Sequence, residues 1–304
     1  FNSWFRDVRD ALAQAGGNNA ADVANLKTQF ADIRREFRSV NENVNSLSRN
    51  VSTWHNRLEN RNTFFDLLDT TNGGTHNSIY RGDHLGSSVN AEQRKNINNG
   101  TFKGMWLGDY WQFAGVTWRI VAFDYFRGMG PQPWDRAHIV VVPDQSLYGA
   151  KWDENSDTTK GYAGSTLNKQ DIGTAVNRGA QMFGGNLNSP WHRFTTKIDD
   201  GIVAELGWFG EPKAAIMNEE MIFGRNQQGY AQSTHRRTDF SFMAQGQFPA
   251  FHMNAKLITV PQYPYWIQDV ANATMAWCVD KSGISLLTPA NYERGIRPYY
   301  VVTA

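Results

Sequence analysis

The sequence predicts an α+β protein: a long N-terminal parallel coiled-coil stalk followed by a globular head of mixed helix and strand. Three observations lead there. Apolar residues recur in a heptad pattern over positions 23–68, with no Pro or Gly to interrupt it. Near Ile79 the composition shifts abruptly towards Gly, Asn, Trp and Tyr. Aromatic residues make up 13% of the 304 residues, and most of the Trp and Tyr lie beyond that shift.

The stalk pattern is Val23, Leu26, Phe30, Ile33, Phe37, Val40, Val44, Leu47, Val51, Trp54, Leu58, Phe65 and Leu68, with only Arg61 missing from the seam. Alternating steps of three and four, with Val23 at position a, give an a/d register that runs well past the three or four heptads that define a coiled coil. A stripe confined to a and d is too narrow to bury a helix against its own domain, so it predicts self-association. Asn19 and Asp22 have the spacing of a helix start, and Asp22 with Lys27 falls at g and e′, which suits parallel chains. Phe at three a positions and Trp54 at d are bulky for a two-stranded seam. We therefore expect three chains.

Residues 2–15 read as a separate short amphipathic helix, with Trp4, Phe5, Val8 and Leu12 available for docking and Gly16-Gly17 dividing it from the rod. The predicted organisation is thus an anchoring helix and linker over 1–18, a stalk over 19–70, a hinge over 71–79 centred on Asn72-Gly73-Gly74, and a head over 80–304. Within the head, residues 111–126, 137–143, 256–260 and 299–302 read as β-type segments, and residues 169–183 and 196–206 as helical. Phe1 is not an initiator Met, which is expected where upstream residues are missing or were processed.

Several function classes are disfavoured at this level. A formal net charge of +1, from Lys+Arg 30 against Asp+Glu 29, lacks the basic excess of a nucleic-acid binder. A lone Cys278 rules out an intrachain disulfide framework and a cysteine-based zinc cluster. The longest aliphatic run, Ile139-Val140-Val141-Val142, is far short of a membrane span, and the first residues lack the pattern of a signal peptide. Motifs for zinc hydrolysis, a serine elbow or phosphate binding are absent, and the seven histidines are scattered without metal-ligand spacing. No catalytic, cofactor or metal residue is therefore expected. Asp199-Asp200 and Glu219-Glu220 are the carboxylate pairs a glycosidase reading would need. Arg81-Gly82-Asp83 reads as a turn, and His235-Arg236-Arg237 as a solvated basic spot.

Aromatics beside amides are the more informative feature. An aromatic face suits the apolar C–H surface of a sugar ring, while Asn, Gln and Asp side chains satisfy its hydroxyls. Strand aromatics such as Trp118 are expected in the core. Those flanked by Gly, Pro or polar residues are the candidate glycan-binding set: Trp134, Trp152, Trp191, Tyr263, Tyr265 and Trp266.

Gly100-Thr101-Phe102-Lys103-Gly104, Leu107-Gly108-Asp109-Tyr110-Trp111 and Gly115-Val116-Thr117-Trp118-Arg119-Ile120 form a recognisable series. It continues through His138 to Asp144 and through Met217-Asn218-Glu219-Glu220-Met221-Ile222-Phe223-Gly224, and closes with Gly295-Ile296-Arg297-Pro298. This constellation resembles an uncharacterised domain of tail and fibre proteins from phages of Gram-positive bacteria. Its ending is also similar to that of C-type-lectin-like domains, which would place variable loops on a compact scaffold. The resemblance implies a virion component, a homotrimeric fibre or baseplate protein. Its N-terminal helix would contact other tail or baseplate proteins, and its head a host cell-wall glycan. The alternatives are a purely structural fibre or spacer and a wall-polysaccharide-degrading enzyme. Neither nucleic acid nor membrane insertion is expected among its partners.

Overall fold

The computed structural model of the chain describes residues 2–68, 73–132, 134–199, 202–224 and 246–303. Two compact units emerge, Phe1–Phe65 and Asp66–Ala304.

The first unit is a single helix, α1 (Asn2–Leu68), continuous through Gly16-Gly17. The expected break there is absent, as is a separate helix start at Asn19. Two helical glycines cost about 1 kcal/mol each relative to alanine. Ala11, Ala13 and Ala15 before them, with Ala20 and Ala21 after, are the strongest helix formers and carry the chain through. At a rise of 1.5 Å per residue, α1 is about 100 Å long. Exposed pairs such as Arg35–Asp32 (2.6 Å) and His55–Glu59 (3.0 Å) decorate it. The side chains of Trp4, Phe5, Phe65 and Leu68 lie outside the described residues.

Expected hinge residues 71 and 72 also lie outside them, and residues 73–79 of the expected hinge are ordered against the head. They form the short helix α2 (Gly73–His76) and its exit. The buried His76 ring stacks on Trp106 at 4.3 Å, and the Asn77 amide donates to Phe123 O and accepts from Phe123 N–H, both at 2.8 Å. Asn77 thereby acts as one more strand residue against the head.

Further along come α3 (Ala91–Asn98), β1 (Tyr110–Phe113), β2 (Val116–Phe123), β3 (Ile139–Pro143), β4 (Tyr148–Lys151), α4 (Gly161–Gly164) and α5 (Ile172–Phe183). They are followed by β5 (Leu187–Asn188), β6 (His192–Asp199), β7 (Ile202–Phe209), β8 (Ala214–Ile216), α6 (Glu219–Phe223) and α7 (Pro249–Met253). Last are β9 (Tyr265–Asn272), β10 (Met275–Val279), β11 (Ser285–Pro289), β12 (Glu293–Ile296) and β13 (Pro298–Val302).

Among the described residues the strands make a six-stranded sheet in the order β1-β2-β3-β13-β5 with β8 also on β13, a five-stranded sheet β11-β10-β9-β12-β4, and the hairpin β6-β7. The head is thus β-rich with short helices. Local chemistry explains several elements. A reciprocal capping box starts α3, Asn90 Oδ1 accepting Gln93 N–H (2.8 Å) and Gln93 Oε1 accepting Asn90 N–H (3.0 Å). On α5, buried Ile172, Ala175, Gly179, Met182 and Phe183 follow the helical period. Gly179 has no substitute, because a Cβ there would sit 2.3 Å from the Tyr300 ring.

Two expected elements are corrected. Residues 196–199 and 202–206 are strand, not helix: β6 and β7 pair antiparallel, with Asp199 opposite Ile202. Asp200-Gly201 between them is a two-residue hairpin signal that outweighs the apparent amphipathic spacing. Residues 256–260 are not a strand: 256–258 lie in a 3-10 turn, Ala255–Ile258, and 259–260 lead out of it. The Leu257 and Ile258 carbonyls are taken by the buried Arg297 guanidinium, at 2.7 and 3.1 Å.

Arg297 also donates to Pro143 O (2.8 Å) and lies over the rings of Phe251 and Tyr265. The Asp109 carboxylate, itself buried, accepts from Arg81 and from the backbone N–H groups of Asp83 (2.8 Å) and Trp106 (2.7 Å). Burial raises the Asp109 carboxyl above the usual carboxylate range, against the lowering effect of Arg81. The Arg119 guanidinium pairs with Asp144. Three charged residues of the recurring motifs therefore tie loops to the core, and Arg81 of the Arg-Gly-Asp triplet is committed to Asp109.

Candidate functional site

Two surfaces on the described residues are candidates for function, one on α1 and one on the head. The first is the α1 stripe. All eleven seam residues from Val23 to Leu58 are more than half exposed, between 51% for Val23 and 76% for Phe37. No other part of the described chain displays such a row of large apolar side chains. An isolated helix gains nothing from this arrangement, whereas burying each such side chain is worth about 1.5–3 kcal/mol.

The second surface is on the head, where the structure divides the six candidate aromatics. Trp152, Tyr265 and Trp266 are fully buried and are withdrawn as ligand contacts. Trp152 Nε1 donates to Ile267 O (3.1 Å), Trp266 Nε1 to Ala150 O (2.9 Å) and Tyr265 OH to Ile258 O (2.8 Å). Tyr265 and Trp266 open β9, whose neighbours on both sides are strands, so the loop that carries the prolines ends just before them. Replacing Trp266 by Ala is expected to destabilise the head by about 3–5 kcal/mol. Thermal unfolding checks this, and an unchanged midpoint would contradict the placement.

Trp134 and Trp191 are half-buried and border one loop. Residues 128–134 are closed by backbone bonds from Gly128 N–H to Trp134 O (2.8 Å) and from Trp134 N–H to Met129 O (3.2 Å). The Trp134 ring lies 4.6 Å from His138, and Trp191 packs so closely on Gly130 that a Cβ there would be 2.3 Å from its ring. Only Tyr263 of the six is widely exposed, at 68%.

Tyr263 stands on the wall of a cleft of about 550 Å³ beside β4 and β12. In the β4–β12 pairing Gly295 lies opposite Gly149, so two residues without side chains form the floor. A Cβ on Gly149 would sit 2.2 Å from Glu293 Oε1, and one on Gly295 would sit 2.2 Å from Ser146 Oγ. The carboxylate and the hydroxyl thus occupy the space that side chains at these two positions would take. Ser146 Oγ is buried and has no hydrogen-bond partner among the described residues, and the same holds for Arg294 Nε. Gln262 is exposed at the rim. Among these groups sequence reasoning identified only Tyr263. Gly149 and Gly295 meet through a strand register that no local pattern encodes.

The acidic pairs lie elsewhere. Glu219 and Glu220 are buried in the first turn of α6, where Asn218 Oδ1 accepts Met221 N–H (2.9 Å). Asp269 Oδ2 accepts Glu219 N–H at 2.7 Å, and Ser285 Oγ donates to Glu219 Oε1 at 3.3 Å. Burial, with the Glu219 charge next, raises the Asp269 carboxyl well above its ordinary range. Asp200, the Asp199 side chain and His235-Arg236-Arg237 lie outside the described residues. Among the described residues no group of three His, Cys, Asp or Glu side chains could hold a metal ion, and no helix is long and apolar enough to cross a membrane.

Compared with known proteins, the chain matches no protein-family model, and neither a curated protein nor a solved structure is similar to it.

Proposed function

We propose that this chain is a homotrimeric fibre or baseplate protein of a phage virion, in which α1 forms a parallel coiled-coil stalk and the head attaches to a host cell-wall glycan. The observation that carries the proposal is the exposed stripe from Val23 to Leu58 on a helix of 67 residues. Such a stripe calls for identical stripes to cover it, and the a/d spacing matches knobs-into-holes packing. Phe30, Phe37 and Trp54 favour three strands over two. The motif resemblance supplies the virion setting and the C-type-lectin-like reading of the head, and the initial segment of α1 supplies a place for a tail or baseplate partner. Three heads on one stalk turn weak sugar contacts into avidity, commonly by 10²–10⁴-fold.

Light scattering on the purified chain is expected to give three times the 34.4 kDa chain mass. A single-chain mass would remove the stalk and the avidity argument together. Sedimentation with isolated Gram-positive cell walls tests the head. Retention on the walls is expected, and its absence would leave a structural spacer.

A further inference from the structure

We propose that the cleft floored by Gly149 and Gly295 is a saccharide subsite for a neutral pyranose, with Tyr263 as its stacking face. This rests on the glycan-binding reading of the head and adds the place and the class of sugar.

The glycine floor is the first reason. Paired residues of an antiparallel ladder project to the same side, so the missing side chains of Gly149 and Gly295 leave room there for the Glu293 carboxylate and the Ser146 hydroxyl. A side chain at either position would collide with these two groups and push them out of the cleft wall. The second reason is the combination of groups around it. The exposed Tyr263 ring offers an apolar face for the C–H side of a pyranose. Glu293 accepts from hydroxyls, Gln262 both donates and accepts, and Ser146 Oγ is a buried hydroxyl with its bonding capacity unused among the described residues. A buried polar atom without a partner is costly, and a ligand hydroxyl would satisfy it.

Charge selects the sugar class. Glu293 lines the cleft with a carboxylate, so an anionic sugar is disfavoured, while the neighbouring Arg294 on β12 turns its side chain to the opposite face, over the Tyr292 ring. A phosphate-bearing wall polymer would meet the Glu293 carboxylate at the floor. The volume of about 550 Å³ lies within the range of about 300–1,000 Å³ usual for small-molecule sites and is too small for a folded partner.

Saturation-transfer NMR on the full chain tests this with glucose, galactose, rhamnose and N-acetylglucosamine as neutral probes, and with glucuronic acid and glycerol 3-phosphate as anionic ones. At least one neutral sugar is expected to bind, and Tyr263→Ala and Glu293→Gln are each expected to weaken it about tenfold or more. Both side chains are exposed, so the variants should keep the wild-type circular dichroism and melting temperature. Sedimentation with isolated Gram-positive walls runs in parallel, and retention abolished by Tyr263→Ala also supports the cleft. If sugars and walls bind the wild type and Tyr263→Ala equally, the cleft is wrong and glycan binding by the head stands. Loss on Trp134→Ala instead would then move the site to the 128–134 loop. Binding of the anionic probes alone overturns the neutral class. If neither sugars nor walls bind, the cleft and the glycan-binding reading fall together.

Discussion

In the proposed trimer, replacing Val44 and Val51 by Asp is expected to reduce the particle from three chains to one. Both residues are a positions in the middle of the exposed stripe, 56% and 60% accessible on the isolated helix. Across three chains their burial is worth on the order of 10 kcal/mol, and each substitution also places a carboxylate where it would have to be buried unpaired. The off-seam control is Asn45→Asp with Ser52→Asp, which adds the same two charges one residue further along the helix, at solvent-facing b positions. Sedimentation equilibrium should show the control as a trimer and the seam variant as a monomer with its head folded. Wall binding should fall with the loss of avidity while binding of a free sugar is unchanged. If both variants remain trimeric, something other than this stripe assembles the chains.

Acidification from pH 7.5 to 5 is expected to cost the head about 4 kcal/mol through His138 and His192. Both are buried, and burial pushes each imidazole down to about 4, with the Arg127 charge also lowering His138. The backbone hydrogen bonds of His138 require a neutral ring, and those of His192 fit one. His138 Nε2 accepts Phe126 N–H at 2.9 Å while Nδ1–H donates to Arg136 O at 2.8 Å. His192 Nδ1 accepts from Tyr299 OH at 2.6 Å while Nε2–H donates to Pro212 O at 3.1 Å. A histidine whose folded pKa is depressed contributes its full stability above about 6.5, the unfolded value, and loses it progressively as the pH falls towards 4. At pH 5 the loss is about 2 kcal/mol for each ring. The raised carboxyls of Asp269, Asp109 and Asp124 act in the opposite sense, gaining stability as they take up a proton. The decisive comparison is therefore between variants. His192→Gln should be less stable than wild type at pH 7.5 yet lose about 2 kcal/mol less on the way to pH 5. Equal losses in both proteins would refute the assignment.

The helix and its stripe were legible because the heptad period is a local property, visible without knowing any long-range contact. The same holds for strands β2, β3 and β13 and for helix α5, whose apolar runs or periods are strong. What failed depended on distant pairing. Trp152 and Trp266 resemble loop aromatics in sequence, but each indole N–H reaches a carbonyl more than one hundred residues away, and their burial follows from that register. Tyr263 and Tyr265 are two residues apart and look alike. The strand begins at Tyr265, so one ring is exposed and the other lies under Arg297. The cleft was illegible for the same reason, since no local pattern joins Gly149 to Gly295 of the closing motif until β4 and β12 lie side by side. Motif residues Asp109, Arg119 and Arg297 stood out in sequence and proved to be fastenings of the scaffold.

The position of β13 has a consequence for how the molecule is made. The bonds of α1 close over four residues, so this element can form as soon as it is synthesised. The six-stranded sheet follows another schedule. Its β13 joins β3, β5 and β8, all encoded before it, and Arg297 beside it fastens the turn at Leu257 and Ile258 to Pro143. Until that late strand inserts, β3 lacks the partner that covers its open edge. A nascent chain therefore passes through a stage with a finished rod and an unfinished head. If rods associate during that interval, three incomplete sheets are held close together, where one chain's β13 can enter its neighbour's gap. Correct assembly then depends on each head taking up its own last strand faster than the rods zip.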